Sequence, residues 1–263
     1  MSMAWNKKLE KDHRGIILWL SGWSMTEMVF EQLCILLPEY HHVSVDLSQA
    51  GSVEEMLLLT ETAAENALCV AREGCVPLLI AGWSLGGLLA LRLAAKGYAD
   101  GLVLFAATAR FTRSKEEADR GWADVYVKKM ITGINQDRQA VETKFRKLIF
   151  TDAKWKADLC KKLPSVGSWT TSALIAGLQI LRSEEYLTKL PNIRCPVLIV
   201  HGAEDKICPY GAALELQEQL PDARLYSIPA CGHIPFLGRE NFIADEWRRW
   251  WNEGQNGPSW API

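Results

Sequence analysis

Six short, mostly apolar runs punctuate this chain, and most are too brief and too continuous for amphipathic helices. The first, Gly15–Leu20, has no polar side chain, as a strand buried on both faces of a parallel sheet requires. His42–Leu47 alternates, Val76–Ile80 and Gly101–Ala106 are again continuous, and Cys195–Val200 and Ala223–Ile228 complete the set. Between them lie segments with helical spacing: Met28–Leu37, stopped by Pro38, then Val53–Arg72, Leu88–Lys96, Tyr210–Gln219 and Glu240–Trp251. Strand and helix in alternation predict an α/β protein with a doubly wound, mostly parallel sheet.

The alternation stops between residues 110 and 189. No strand pattern occurs there; Val141, Phe145, Leu148 and Ile149 have helical spacing, and Gly133, Pro164 and Gly167 read as breakers. This stretch is expected to be a helical cap inserted into a core formed by residues 1–109 and 190–263. Charge sharpens the picture. Lys128 to Lys162 holds ten basic and four acidic residues, a local excess of six positive charges in a chain of net charge −2. A solvated helical face explains that excess, and so does a docking surface for an acidic partner. The near-neutral whole gives no field for nucleic acid. With 49% hydrophobic residues, 263 positions suffice for a sizeable core, yet no run reaches a membrane span. Met1 to Arg14 is polar and charged, seven cysteines show no paired spacing, and residues 254–263 read as a loose tail. The expectation is a cytoplasmic protein with reduced thiols.

The candidate chemistry centres on Gly82-Trp83-Ser84-Leu85-Gly86, placed between a strand and a helix. Gly-x-Ser-x-Gly in that setting is the pattern of a nucleophile elbow, a turn so tight that side chains at either glycine would crowd the backbone. A glycine-rich turn around an inert buried serine is the plainer reading of the pentapeptide alone. Serine needs a base, and the base an orienting acid. His233 follows the last strand and Asp205 the one before, so both loops open on the same sheet edge as Ser84. Glu204 competes with Asp205 for the acid, and His201 with His233 for the base. The loop after the first strand brings Trp23, whose backbone N–H, with that of Leu85, is placed to receive an oxyanion. No metal or cofactor is needed; the adjacent His41 and His42 diverge in a strand and do not form a ligand pair.

These motifs, together with Gly202-x-x-Asp205 and Gly232-His233-x-Pro235-Phe236, resemble the α/β-hydrolase superfamily from about Ile16 to Trp251. More closely, Gly22-Trp23, the Trp-Ser-Leu-Gly-Gly elbow, Ala140–Phe145 and Gly177–Leu181 resemble the pimeloyl-acyl-carrier-protein methyl ester carboxylesterases of biotin synthesis. That resemblance implies a serine carboxylesterase cleaving a methyl ester from a pimeloyl chain tethered to an acyl-carrier protein. It implies that Trp23, Ser84, Leu85 and His233 line the site. It also implies that the stretch Phe145, Arg146, Lys147, Leu148 and Ile149 contacts substrate, and that basic cap residues meet the carrier. The chain departs from the pattern at Ser21, where histidine is usual, at Ala140, where arginine is expected, and after Asp46-Leu47, which lacks Pro-Gly. A broad esterase for small-molecule esters and a non-catalytic hydrolase-fold binding protein are the other readings.

Overall fold

A computed structural model describes residues 12–151 and 159–255. The terminal segment before residue 12, the loose-tail residues 256–263 and four of the cap charges (Asp152, Lys154, Lys156 and Asp158) lie outside the described residues. Among the described residues, six parallel strands form one sheet in the order β2-β1-β3-β4-β5-β6. They are β1 (Ile16–Leu20), β2 (His41–Ser44), β3 (Leu78–Trp83), β4 (Gly101–Phe105), β5 (Val197–Gly202) and β6 (Ala223–Ile228). Every residue of β1, β3, β4 and β5 is buried, while the edge strands β2 and β6 are half-exposed. The continuous apolar runs are therefore the inner strands, and the mixed runs are the edges.

β2 stops earlier than its alternation predicts. The strand ends at Ser44, and just beyond it the side chain of Asp46 accepts the Ser48 N–H at 2.8 Å, a local turn that competes with strand pairing. From β1 the chain steps out to β2 and returns past β1 to β3. It then adds one strand at a time to β6. The direction of winding reverses between β1 and β3, and at such a switch point the loops beyond adjacent strands part to leave a crevice.

Flanking helices are α1 (Glu31–Leu36), α2 (Val53–Glu73) and α3 (Leu85–Ala95), then α4 (Asp124–Ile149) and α5 (Thr171–Ser183) between β4 and β5, and finally α6 (Tyr210–Gln219) and α7 (Glu240–Gln255). Aromatic rings knit the sheet to α7: Trp19 of β1 lies 5.6 Å from Trp247 and 4.7 Å from Phe30 between ring centres. Among the described residues, 110–189 contain no strand beyond two isolated bridges. Gly133 does not break its helix. The kink in α4 falls at Asp137 (φ −149°, ψ 85°), whose carboxylate caps the Ala140 N–H at 2.9 Å and starts a second helical arm. The two arms fold back on each other, so that a Cβ at Gly133 would lie 2.9 Å from Val141. The first arm is tied to α5 by Arg182 and Asp124 at 2.5 Å.

Candidate active site

β3 delivers Ser84 at its C-terminal end and α3 begins on the next residue. Ser84 holds φ 57° and ψ −117°, a conformation costing about 1–3 kcal/mol that only a tight surround maintains. That surround is the elbow itself. A Cβ on Gly82 would meet the Gly86 carbonyl oxygen at 2.2 Å, and one on Gly86 would meet that of Leu20 at 2.0 Å. Glycine at both places lets strand, turn and helix close on one another.

The loops after β5 and β6 bring the other two groups. His233 Nε2 lies 2.7 Å from Ser84 Oγ, and His233 Nδ1 lies 2.7 Å from Asp205 Oδ2. The second Asp205 oxygen accepts the N–H groups of Ile207 (2.8 Å) and Cys208 (3.0 Å), which aims the carboxylate. All three side chains are buried. With Nδ1–H donated to Asp205, Nε2 is left as the acceptor for the serine proton. Neither the Trp23 nor the Leu85 backbone N–H has an intramolecular partner among the described residues. Both come from strand ends that are neighbours in the sheet, β1 and β3, and the Leu85 N–H also stands at the positive end of α3.

The competing residues fall elsewhere. Glu204 is exposed, and its N–H is bound to the Cys231 carbonyl. His201 is fully buried on the other side of Asp205, with Nε2 2.8 Å from the Cys208 carbonyl and 3.5 Å from Asp205 Oδ2. Burial pushes its pKa down, so it is a neutral neighbour of the carboxylate.

Several contacts at the site leave no trace in sequence spacing. The Trp83 indole donates to the His233 carbonyl at 2.7 Å, and Trp122 donates to the Lys206 carbonyl, beside Asp205, at 2.9 Å. The Trp23 indole donates to the Leu174 carbonyl of α5 at 2.8 Å. Close by on α5, Gly177 leaves just enough room for the side chains of Trp23 and Leu85, the two oxyanion candidates.

The stretch from Lys144 to Ile149 divides. Phe145 packs edge-to-face on Trp23, with ring centres 4.9 Å apart. Leu148 is half-buried, Ile149 is buried, and Lys144 and Lys147 are exposed. Arg146 does not join that basic face. Its side chain turns inward, and its guanidinium donates to the carbonyls of Ser24 (3.2 Å), Ser165 (3.3 Å) and Pro164. A cavity of about 420 Å³ opens between the two arms of α4, walled by Trp122, Tyr126, Met130, Val141, Phe145 and Leu148, with Lys129 and Lys144 also on its lining. Among the described residues no cluster of His, Cys, Asp and Glu could hold a metal ion, and no helix is long and apolar enough to cross a membrane.

The strand order, the elbow and the buried Ser-His-Asp arrangement define an α/β-hydrolase of the serine type. An esterase from Exiguobacterium antarcticum shares the fold, with a TM-score of 0.71 at 21% identity over 92% of this chain and 93% of that one. The Hydrolase_4 family model, described as serine aminopeptidase S33, matches residues 51–240. A pimeloyl-acyl-carrier-protein methyl ester esterase from Nitrosomonas europaea is 32% identical over 87% of this chain and 92% of its own length. One of the same name from Chromobacterium violaceum is 30% identical over 85% and 89%. The chain belongs to this serine hydrolase family and, within it, to the esterases that these relatives represent; it is a carboxylic ester hydrolase.

Proposed function

We propose that the protein hydrolyses the methyl ester of a pimeloyl chain borne by an acyl-carrier protein, with Ser84 as nucleophile, His233 as general base and Asp205 as its orienting acid. The observation that carries the reading is the Ser84–His233–Asp205 relay, with 2.7 Å at each step. His233 takes the serine proton as Ser84 attacks the ester carbonyl. The Trp23 and Leu85 N–H groups meet the oxyanion, where the loss of one such donor costs about 3 kcal/mol of transition-state stabilisation. His233 then returns the proton to methoxide as methanol leaves, and activates water to release the acid from the acyl-enzyme.

Support for the acyl part of the substrate comes from the cleft between the arms of α4. Its volume and largely apolar wall suit a methylene chain, and Phe145 joins that wall to Trp23. In this reading residues 110–189 are a cap on a core of residues 1–109 and 190–263. The exposed Lys144 and Lys147, with Lys129, are the groups that an acidic carrier meets. Cytoplasmic residence follows from the same reading, and suits the free thiols at Cys34, Cys69, Cys75, Cys195, Cys208 and Cys231.

The test is a pair of rates on purified protein, with pimeloyl-carrier methyl ester and p-nitrophenyl butyrate as substrates. The expected result is a kcat/KM at least about a hundredfold higher for the carrier substrate, and loss of both activities in Ser84→Ala. Comparable rates on the two would make the protein a general esterase of small substrates. No turnover of either ester would leave a binding protein on a hydrolase fold.

A further inference from the structure

One face of the second arm of α4 carries Glu142, Phe145, Arg146 and Ile149, at the three- and four-residue spacing that aligns side chains on a helix. Phe145 and Arg146 touch the loop after β1 as described above. The Ile149 carbonyl accepts the backbone N–H of His233 at 2.8 Å. Glu142 is the unexplained member. Its carboxylate is 1% exposed, 118 residues from its partner in sequence, and has no place in the proton relay. A buried charge is costly unless it is fully engaged. Here one oxygen accepts the Ser24 hydroxyl at 2.5 Å and the other accepts Arg138 Nε at 2.9 Å.

Ser24 is an unusual partner. It follows Trp23 in a turn closed by the Met25 N–H on the Gly22 carbonyl at 3.2 Å, and its φ is 61°. That third turn position with positive φ is one glycine takes freely and serine resists. Ser24 is itself buried, and two of its polar groups are held from the cap, its hydroxyl by Glu142 and its carbonyl by Arg146. Released from these, serine would relax toward negative φ, rotate the Trp23–Ser24 peptide and shift the loop that presents the Trp23 N–H.

We infer that Glu142 is a positioning residue for the oxyanion hole, acting through Ser24 to hold the Gly22–Met25 turn. The inference rests on the reading of Trp23 as an oxyanion donor. It makes the cap part of the catalytic frame: the second arm fixes both the oxyanion loop and the His233 loop, and the substrate cleft opens beside that face, toward the first arm, with Phe145 shared between the two.

The discriminating set is Ser24→Ala, Ser24→Gly, Glu142→Leu and the double variant Glu142→Leu with Ser24→Gly, assayed on p-nitrophenyl butyrate. Folding is checked by circular dichroism, and wild type and Ser84→Ala run alongside. Ser24→Ala and Glu142→Leu are expected to lower kcat about ten- to a hundredfold with KM within about twofold, less than the loss of a whole oxyanion donor. Ser24→Gly is expected to keep more activity than Ser24→Ala, although it leaves the larger gap, because glycine holds the turn without a tie. For the same reason the double variant should exceed Glu142→Leu in kcat. A purely structural role predicts the reverse order for the two serine variants and no rescue in the double; either result overturns the inference, as does wild-type kcat in Glu142→Leu. If Glu142→Leu fails to fold, the order of the two serine variants decides alone. Failure of the site reading looks different: it is wild-type protein without turnover, or Ser84→Ala as active as wild type, and it overturns this inference as well.

Discussion

At the scale of single residues, buried polar groups outside the Ser84–His233–Asp205 relay surround the site. His201 is the clearest. Its Nε2–H is shared between the Cys208 carbonyl and, more distantly, Asp205, so Nδ1 is unprotonated, and it has no partner among the described residues. Burial holds its pKa below the ordinary 6.5; the Asp205 charge pulls the other way, and His233 reinforces the burial. Below about pH 6.5 the unfolded chain protonates this histidine while the folded chain does not, so the unfolded state binds more protons and stability falls as pH falls. The slope is at most about 1.4 kcal/mol per pH unit for each such histidine. His42, half-buried on the edge strand and with its pKa also pushed down by desolvation, adds a slope of the same sign. In His201→Gln, which retains an N–H for the Cys208 carbonyl, urea midpoints between pH 7.5 and 5 should fall less steeply than in wild type. Equal slopes would mean that His201 titrates alike in folded and unfolded chains.

At the scale of elements, the proposed function makes the kinked helix α4 the place where acyl length is read, because its two arms wall the apolar cleft. Its arms meet where Gly133 faces Val141, and Val141 also walls the cleft. A leucine at Gly133 adds helix propensity of up to about 1 kcal/mol relative to glycine, so the helix itself should survive. The added side chain must push Val141 aside or occupy the cleft, since even its Cβ would stand 2.9 Å from Val141. Gly133→Leu is therefore expected to raise KM about tenfold for p-nitrophenyl octanoate and to leave p-nitrophenyl acetate within about twofold, because only the longer chain needs the cleft. Equal effects on the two esters would remove the cleft from the acyl path. Reading Gly133 as a breaker follows from its weak helix propensity, but close approach of the arms is what uses the missing side chain, and the break falls instead where Asp137 can cap a new helix.

At the scale of the whole molecule, the sheet was legible because its inner strands are buried on both faces and so are written as unbroken apolar runs. The order Ser84, Asp205, His233 along parallel strands was enough to select the side chains that the fold brings within hydrogen-bond distance. What stayed hidden are pairs such as Trp83 with the His233 carbonyl and Ser24 with Glu142, 150 and 118 residues apart, which no local period records. Charge was hidden in the same way. Read as sequence, residues 110–189 have a single basic character, but folding sorts it: Arg146 is buried, Arg138 is bound to Glu142, and Lys128 is paired with Asp124 at 2.8 Å, while Lys129 and Lys144 stay exposed on the cleft lining and Lys147 stays exposed on the same arm as Lys144. A field from exposed lysines acts at a distance, so it should govern encounter with a macromolecular anion rather than the chemistry at Ser84. Lys144→Glu combined with Lys147→Glu is then expected to lower kcat/KM for pimeloyl-carrier methyl ester about tenfold at low ionic strength and to leave p-nitrophenyl butyrate unchanged. By about 0.5 M salt, where screening acts within a few ångströms, the difference between wild type and variant should close. A loss shared by both substrates, or one indifferent to salt, would mean that these lysines support the cleft wall and that the carrier meets another face.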